Sequence, residues 1–267
     1  MITGTLLRRF AVVSAAVLLM AARFASPASA AEVRVMISGA FTAAYEVLKP
    51  EFERQTGHKL ITISGPSMGE TPQAIPNRLA RGEADDIVIV ARSSADMLAK
   101  NGAVDPKTVV DLVHSQIGFA VKAGAPVSDI STADKLKDVL LKAKSIGYSD
   151  SASGVYVGTQ LFKKLGIESE VSGKAHKIQA TPVGEMIAKG EIEVGFQQIS
   201  ELKPVKGITL VGPIPSAVQL ITPFTAAVNS KSQNVDAAKQ LIAFLTSPKA
   251  YDTIKATGLQ PAALAKD

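Results

Sequence analysis

The chain of 267 residues contains no cysteine, no tryptophan and only three histidines. The lack of cysteine excludes disulfides, cysteine nucleophiles and a lipid-modified cysteine. His58, His114 and His176 do not have the H-x-x-x-H spacing of a zinc site, so we expect neither a metal nor a cofactor. Aromatic residues make up 5% of the chain, which leaves few side chains for stacking on bases and argues against nucleic-acid binding.

The first 30 residues have the three parts of a secretory signal peptide. Arg8 and Arg9 precede an apolar stretch at residues 10–20, and residues 28–30 read Ala-Ser-Ala, a small-residue cleavage motif. The apolar stretch is shorter than the roughly 20 residues that a bilayer span needs. We therefore predict cleavage after Ala30 and export of the mature chain to a bacterial periplasm.

Removal of this leader leaves little net charge. The formal charge at pH 7 falls from +5 to +2, because the leader contains Arg8, Arg9, Arg23 and no acidic residue. So small a charge, without a basic stripe, does not support nucleic-acid binding. The remaining residues are enough for one large domain or two lobes.

Short apolar runs rich in β-branched residues alternate with helical patterns along the mature chain, which is typical of βαβ units. Strands are predicted at residues 33–37, 59–63, 86–91, 117–122, 145–148, 176–179, 193–197 and 217–228. Helices are predicted at residues 42–55, 72–82, 94–101, 132–143, 155–166, 235–245 and 248–257. A further helix is predicted to start at Thr181-Pro182, with Thr181 as its N-cap.

This order predicts an α/β fold of two lobes, each a mainly parallel sheet flanked by helices. Lobe I would comprise residues 31–114 and 223–267, and lobe II residues 115–222. Two crossovers, near residues 112–118 and 217–228, would form the hinge between them. We expect the protein to be a monomer.

Four loops join a predicted strand end to a helix start, at residues 38–41, 64–69, 149–154 and 181–183. Ligands of open α/β sheets bind outside the carboxyl ends of the strands. Helix N-termini at that edge present N–H groups and a partial positive charge, which favour anions. Serines at such positions are also ordinary N-caps, so one loop alone is weak evidence. Four loops from two lobes together predict a shared anion cleft.

The order of the motifs resembles the periplasmic molybdate-binding proteins of ABC transporters, within the two-lobed solute-binding proteins. Residues 33–42 are similar to the family's opening strand and turn, and residues 81–89 to its G-x-x-A-D-hydrophobic strand. Residues 147–156 and 245–258 are similar to its later glycine-containing and closing motifs. The resemblance covers nearly all of the mature chain. It implies a small anion held by hydroxyl and backbone N–H groups, and an ABC transporter permease as a partner.

The resemblance also implies ligand-binding positions in the first two loops. Ala40 stands where the family has its first-loop serine, with Ser38 two residues earlier as a substitute. Ser67, followed by Met68, matches the second-loop serine, although the loop here is longer.

Three further ligand-binding positions fall in the second lobe. Ser153 falls on the family's alanine before a glycine, and Val183 on the valine whose N–H points into the cleft. Gln198 stands where the family has a tyrosine donor. Ala40 and Gln198 together remove two hydroxyl donors that would hold molybdate.

Arg92 is a second departure from the family pattern. After the third strand the family usually has alanine-aspartate, whereas this chain has Ala91-Arg92. A guanidinium offers planar, bidentate pairing with a carboxylate, although most arginines point to solvent. Together with Ala40 and Gln198, Arg92 favours a larger and more negative ligand than molybdate, such as a dicarboxylate or tricarboxylate.

An enzymatic alternative remains open, because aconitate isomerases of some bacteria are similar to molybdate-binding proteins. Interconverting cis- and trans-aconitate requires a base that removes an allylic proton, and neighbouring charge that stabilises the carbanion. Glu70 and Asp150 are the catalytic candidates in that case, with Glu185 also on a cleft loop and Tyr156 and Lys122 more remote. Taken alone, each acid is more typical of a solvated residue at a helix start, which the helix dipole favours.

The leading hypothesis from sequence is a periplasmic solute-binding protein that captures a di- or tricarboxylate for an ABC transporter. The alternative is a periplasmic aconitate isomerase on the same scaffold. An extracytoplasmic sensor would use the same residues as the carrier.

Overall fold

The computed structural model describes residues 30–265, so the predicted signal peptide lies outside the described residues. Residues from Ala31 onward form one compact unit. Its strands are β1 Glu32–Ile37, β2 Lys59–Ser64, β3 Ile87–Ala91, β4 Val110–Ser115, β5 Ile117–Lys122, β6 Ile146–Ser149, β7 Ala175–Ile178, β8 Val194–Gln198, β9 Ile208–Pro213, β10 Thr222–Val228 and β11 Gln260–Pro261.

The strands alternate with helices that cover both sheets. The α-helices are α1 Gly39–Thr56, α2 Ile75–Ala80, α3 Arg92–Lys100, α4 Ala133–Lys142, α5 Ala152–Tyr156, α6 Glu168–Val171, α7 Val183–Lys189, α8 Ile199–Leu202, α9 Val235–Leu245 and α10 Tyr251–Ala256. Helix α5 continues through a π turn, Val157–Leu161, into a last α-helical turn, Phe162–Lys164.

The first sheet has six strands in the order β11-β4-β10-β3-β1-β2. Strand β1 is parallel to both β2 and β3, whereas β10 is antiparallel to β3 and β4. All five residues of β3 are buried, because the sheet is covered on both faces. One core packs α1, α9 and α10 against one face of the sheet, and a smaller core packs α2 and α3 against the other.

The second sheet has five strands in the order β7-β6-β8-β5-β9. Strand β6 is parallel to β7 and β8, whereas β5 is antiparallel to β8 and β9. Its larger core is built around Phe119, Phe196 and Tyr156. A two-sheet α/β fold is therefore confirmed, and both sheets are mixed rather than mainly parallel because β10 and β5 run against their neighbours.

Local sequence explains where the longest helix ends. Helix α1 stops at Gly57, whose φ of 76° lies in the left-handed region that glycine adopts without strain. The Gly57 N–H donates to the Glu53 carbonyl at 2.9 Å, which satisfies one of the last free carbonyls of the helix. Sequence predicted this end correctly, but the helix begins at Gly39, three residues earlier than predicted.

Two local predictions are wrong. The cap of α7 is Pro182 rather than Thr181, because residue 180 takes a left-handed conformation with φ 57° and the helix starts only after the proline. The long strand predicted at residues 217–228 begins only at Thr222, since residues 216–218 form a 3₁₀ turn. Sequence also missed β4, β9 and the short β11.

Two connections link the strands of the first sheet to those of the second. Gln116 alone separates β4 from β5, and residues 214–221 separate β9 from β10. The Gln219 side chain ties the two connections together: it accepts from the Ile117 N–H at 2.9 Å and donates to the Ile117 carbonyl at 3.0 Å. The predicted lobe boundaries at residues 114/115 and 222/223 stay a prediction.

Candidate functional site

A small pocket lies between the two sheets, where helix N-termini from both sides meet. From the first sheet's side it is lined by Ser38, Gly39, Ala40 and Phe224, and from the second sheet's side by Ser151, Ala152, Ser153, Gln198 and Glu201. Four of the ligand-binding residues predicted from sequence, Ser38, Ala40, Ser153 and Gln198, are therefore brought together. The pocket leaves about 10 Å³, space for about one water molecule.

Helix α1 points its N-terminus at this pocket. Ser38 is the N-cap residue and is 2% exposed, and its hydroxyl makes no hydrogen bond within residues 30–265. The N–H groups of the first helical turn lack partners inside the helix and carry the positive end of the helix dipole. Because the Ser38 hydroxyl does not accept from these N–H groups, the hydroxyl and the N–H groups can all donate to a bound acceptor.

The second sheet contributes a similar arrangement at α5. Ser151 is the N-cap residue, but its hydroxyl accepts from the Ser67 N–H at 3.2 Å instead of capping α5. Ser153, which is 2% exposed, lies 3.4 Å from the Ser149 hydroxyl. The ordinary N-cap interpretation of these serines therefore fails for both Ser38 and Ser151, and an anion-binding role gains support.

Gln198 ends β8 and caps the short helix α8. It is 1% exposed, and its Nε2 donates to Thr222 Oγ1 at 3.4 Å while Oε1 makes no hydrogen bond within the described chain. A side-chain amide carries donors on one atom and an acceptor on the other, so a half-turn would present Nε2 to a ligand. Its position at the pocket agrees with the ligand role predicted for it.

Val183 N–H, the predicted ligand donor of α7, points to Gln197 instead. Gln197 Oε1 accepts from the Val183 N–H at 2.9 Å and from the Gly184 N–H at 3.4 Å. Gln197 Nε2 donates to Glu201 Oε1 at 3.0 Å. Because Oε1 serves two N–H groups, the orientation of this amide is determined and Nε2 must face Glu201.

Glu201 brings a carboxyl group into the pocket and approaches α1 closely. A Cβ on Gly39 would overlap with Glu201 Oε1, so any larger residue at position 39 would displace this carboxyl. Desolvation of the carboxyl between the sheets raises the pKa of Glu201 to about 7, against the opposing hydrogen bonds from Gln197 and the Gln198 backbone. This carboxyl can gain or lose a proton near neutral pH.

Ser67, the predicted second-loop ligand residue, connects neighbouring elements by hydrogen bonds. Its hydroxyl accepts from the Ala91 N–H at 2.9 Å, and its carbonyl accepts from the Ser94 hydroxyl at 2.6 Å. Its own N–H reaches Ser151 across the gap between the sheets. The neighbouring Met68 packs partly buried against the first core. Ligand roles for Ser67 and Met68 stay predictions.

Arg92 begins α3 at the carboxyl end of β3, as predicted, but its guanidinium is engaged by protein carboxylates. Nε donates to Asp96 at 2.8 Å, and Nη1 donates to both oxygens of Asp111 at 3.1 Å. These two acids raise the pKa of Arg92. A ligand carboxylate would have to compete with them, so the ligand role of Arg92 stays a prediction.

Of the predicted catalytic acids, Glu70 lies exposed on the loop after β2. Asp150 is 6% exposed, and burial raises its pKa. Its backbone carbonyl lies against Gly69, where a Cβ would approach to 2.9 Å. Asp150 thus precedes the pocket residue Ser151 but is not among the pocket-lining residues.

The more remote candidates have other surroundings. Glu185 is exposed in the first turn of α7. The Tyr156 hydroxyl donates to the Val218 carbonyl at 2.6 Å. Lys122 ends β5, and its Nζ reaches Gly190.

Glu201 was not predicted from sequence as a site residue. The predicted acids lie on or beside loops after strands, whereas Glu201 lies three residues after the strand end at Gln198. A glutamate at the third helical position, which can accept from the N–H of the cap residue, is one half of the capping-box pattern, and this spacing was the available signal. In residues 30–265 no helix has the length and apolar character of a bilayer span. No group of three or more histidine or acidic side chains in that range could hold a metal ion.

Comparisons with known proteins agree with this geometry. A family model described as bacterial extracellular solute-binding protein matches residues 33–260. An aconitate isomerase from a Pseudomonas species is 46% identical over 227 residues, which cover 85% of this chain and 87% of the relative. Molybdate-binding protein ModA of Azotobacter vinelandii is 28% identical over 249 residues, covering 91% and 95% of the two chains.

Solved structures confirm the predicted fold. The periplasmic molybdate-binding protein of Azotobacter vinelandii superposes with a TM-score of 0.70 at 21% identity, covering 85% of this chain and 98% of that chain. The two sheets flanked by helices are thus those of a two-lobed periplasmic binding protein. With a family match over most of its length, this chain belongs to the bacterial extracellular solute-binding proteins.

Proposed function

We propose that this protein is a periplasmic aconitate isomerase, which binds cis- or trans-aconitate between its two sheets and interconverts them. The observation that carries the proposal is that the N-termini of two helices, α1 and α5, meet at one pocket. The N-cap serines of these helices, Ser38 and Ser151, make no side-chain hydrogen bond to their own helices. Such a site favours a small anion. The substrate is taken from the relative named aconitate isomerase, to which this chain is 46% identical over 227 residues.

The pocket suits a carboxylate ligand better than molybdate. Ala40 and Phe224 contribute apolar surface to it, and Ala40 replaces the hydroxyl donor that the molybdate-binding proteins have at this point. Ser38, Ser153 and the amide of Gln198 are buried donors that suit carboxylate oxygens. A flat tricarboxylate combines anionic oxygens with an apolar carbon skeleton, and so matches both kinds of surface.

The experiment is a proton NMR assay of the purified mature protein with each aconitate isomer in deuterated water, without added metal. The proposal expects both isomers to reach the same equilibrium mixture, with deuterium entering the allylic position during turnover. Tight binding of either isomer without interconversion would contradict it.

A carrier function is the second candidate. It is favoured by the family match and by the molybdate-binding relative, which covers 91% of this chain. A carrier would bind a di- or tricarboxylate without changing it and present it to an ABC transporter permease. A thermal-shift series with molybdate, sulfate, citrate, tricarballylate and both aconitates identifies the ligand in either case, since a ligand at 100 times its Kd adds about 2.7 kcal/mol of stability.

A further inference from the structure

We propose that Glu201 is the acid–base residue of this site and that Gln197 is its positioning residue. This inference rests on the proposed isomerase function and adds to it the group that moves the proton. It replaces the sequence-based candidates Glu70 and Asp150 in that role.

The position of Glu201 in the pocket supports this assignment. Among the described residues that line the pocket, Glu201 is the one with a titratable side chain. Glu70 is exposed on its loop, and Asp150 lies outside the lining. A general base must come within hydrogen-bond reach of the proton that it removes, and Glu201 is the carboxyl group that a ligand in this pocket would meet.

A hydrogen bond from the protein also holds one carboxyl oxygen of Glu201 in place within the pocket. Oε1 accepts from Gln197 Nε2 at 3.0 Å, and the Gln197 amide is itself oriented by the Val183 N–H. The chain from Val183 through Gln197 to Glu201 therefore fixes the position of the carboxyl. The Gln198 backbone also donates to this carboxyl, and the lone pairs that these two bonds leave unused are available to take a proton from a substrate.

The reaction also creates a negative charge that the site must stabilise. Removing a methylene proton from aconitate leaves an allylic carbanion whose charge spreads onto the adjoining carboxylates. The N-terminus of α1, which begins beside Glu201 at Gly39, provides N–H groups and a positive dipole end for that charge. Base and anion-stabilising group thus lie side by side in the same pocket.

The proposed step is balanced without a co-reactant. Glu201 takes the proton from the methylene carbon, the carbon–carbon double bond shifts by one position, and the protonated Glu201 returns a proton to the carbon that was vinylic. One C–H bond breaks and one forms, and the carboxylate is regenerated. A pKa near the working pH suits a group that must both accept and donate a proton.

The charged surroundings of Glu201 are few. The first-sheet residues that line the pocket, Gly39, Ala40 and Phe224 among them, carry no charge. Directly after its helix, the Lys203 ammonium is engaged elsewhere, since it donates to the Ala256 carbonyl at 2.7 Å. Asp150, whose pKa burial also raises, precedes the lining residue Ser151. An ionisation seen in the pH profile must therefore be assigned by variants of both acids.

The decisive experiment compares Glu201→Gln with Glu170→Gln, an exposed acid of the same type on α6. Each is assayed for aconitate interconversion, for allylic hydrogen exchange, and for binding of tricarballylate, a saturated analogue. We expect Glu201→Gln to lower kcat at least 100-fold and abolish exchange while tricarballylate Kd changes less than 10-fold. Glu170→Gln should behave as wild type. Interconversion by Glu201→Gln near the wild-type rate would overturn the inference.

A second variant tests the positioning role and does not depend on the folding of Glu201→Gln. Gln197→Ala removes a hydrogen bond that favours the charged carboxyl. We expect the acid limb of its kcat/KM profile to move to higher pH, with kcat reduced and KM little changed. Asp150→Asn should leave that limb in place, and a limb that moves with Asp150→Asn instead would overturn the assignment. A wild-type protein that binds aconitate without converting it would overturn the proposed function itself.

Discussion

At the scale of single residues, Glu201 couples the stability of the protein to pH. Its pKa is raised to about 7 in the folded state from an ordinary value near 4.5. Between these values the folded state binds more protons than the unfolded state, so stability falls as pH rises from about 4.5 to 7. Below pH 4.5 both states hold the proton, and this part of the pH dependence is absent.

We expect Glu201→Gln to stabilise the protein at pH 8 relative to wild type and to have little effect at pH 4.5. Each pKa unit corresponds to about 1.4 kcal/mol, so the gain is at most about 3 kcal/mol. Urea unfolding at both pH values measures it. Asp85, whose pKa burial raises to about 6, adds a slope of the same sign that both proteins share. An equal effect of Glu201→Gln at the two pH values would contradict the raised pKa.

Ser38 and Ser67 form a matched pair for separating ligand binding from stability. The Ser38 hydroxyl is unpartnered within residues 30–265, whereas the Ser67 hydroxyl accepts from the Ala91 N–H. We expect Ser38→Ala to weaken aconitate binding by about 1.5–3 kcal/mol, the range for a hydrogen bond to a charged group, without loss of stability. Ser67→Ala should cost about 1–3 kcal/mol of stability, because it strands a buried N–H. Calorimetry and thermal melts test both, and a Ser38→Ala variant with unchanged affinity would exclude Ser38 from the ligand site.

At the scale of elements, sequence predicted the regular segments well and the edges poorly. Helix α9 matches its predicted range of residues 235–245, since its apolar positions face one core. Strand β9 was missed because it lies at a sheet edge, where its residues are partly exposed and show no alternation. Strand β4 was missed because it lies in what the sequence presented as a crossover. The direction of the strands could also not be predicted from local sequence patterns, because the antiparallel course of β10 depends on its pairing with β3 and β4.

The candidate site shows the same limit. Sequence predicted the loops that carry Ser38, Ala40 and Ser153, because strand–helix junctions are visible as local patterns. It could not predict Glu201, whose importance comes from the approach of α8 to Gly39 of α1, more than 160 positions away in the chain. Nor could it show that Gln197, rather than a ligand, accepts from the Val183 N–H.

The two connections between the sheets depend on Gln219. Its side chain contacts Ile117, the first residue of β5 after one connection, and Ile214 within the other, with donor and acceptor both used. We expect Gln219→Ala to lower stability by about 1–3 kcal/mol, because it leaves the Ile117 N–H without its partner. Gln233→Ala, at an exposed glutamine with one long hydrogen bond, is the control. Equal Tm values for the two variants would show that Gln219 does not hold the connections together.

At the scale of the whole molecule, the two sheets touch on the side that faces the pocket. The Ser67 N–H donates to Ser151, and Gly69 lies against Asp150. The pocket between them has space for about one water molecule, whereas aconitate has twelve non-hydrogen atoms. A ligand of that size requires the sheets to separate before it enters, as in the hinged closure of two-lobed binding proteins.

Because the sequence contains no cysteine, a disulfide can lock this contact without a competing thiol. We expect the double variant Ser67→Cys/Ser151→Cys, once oxidised, to lose aconitate binding and interconversion, and to recover them on reduction to the level of the single variants. The single variants measure the effect of losing each hydroxyl. The difference in binding between the oxidised and the reduced double variant therefore measures the effect of the disulfide alone. Thiol titration confirms the crosslink, and calorimetry with aconitate measures binding. Undiminished binding by the fully crosslinked protein would show that the ligand enters without separation of the sheets.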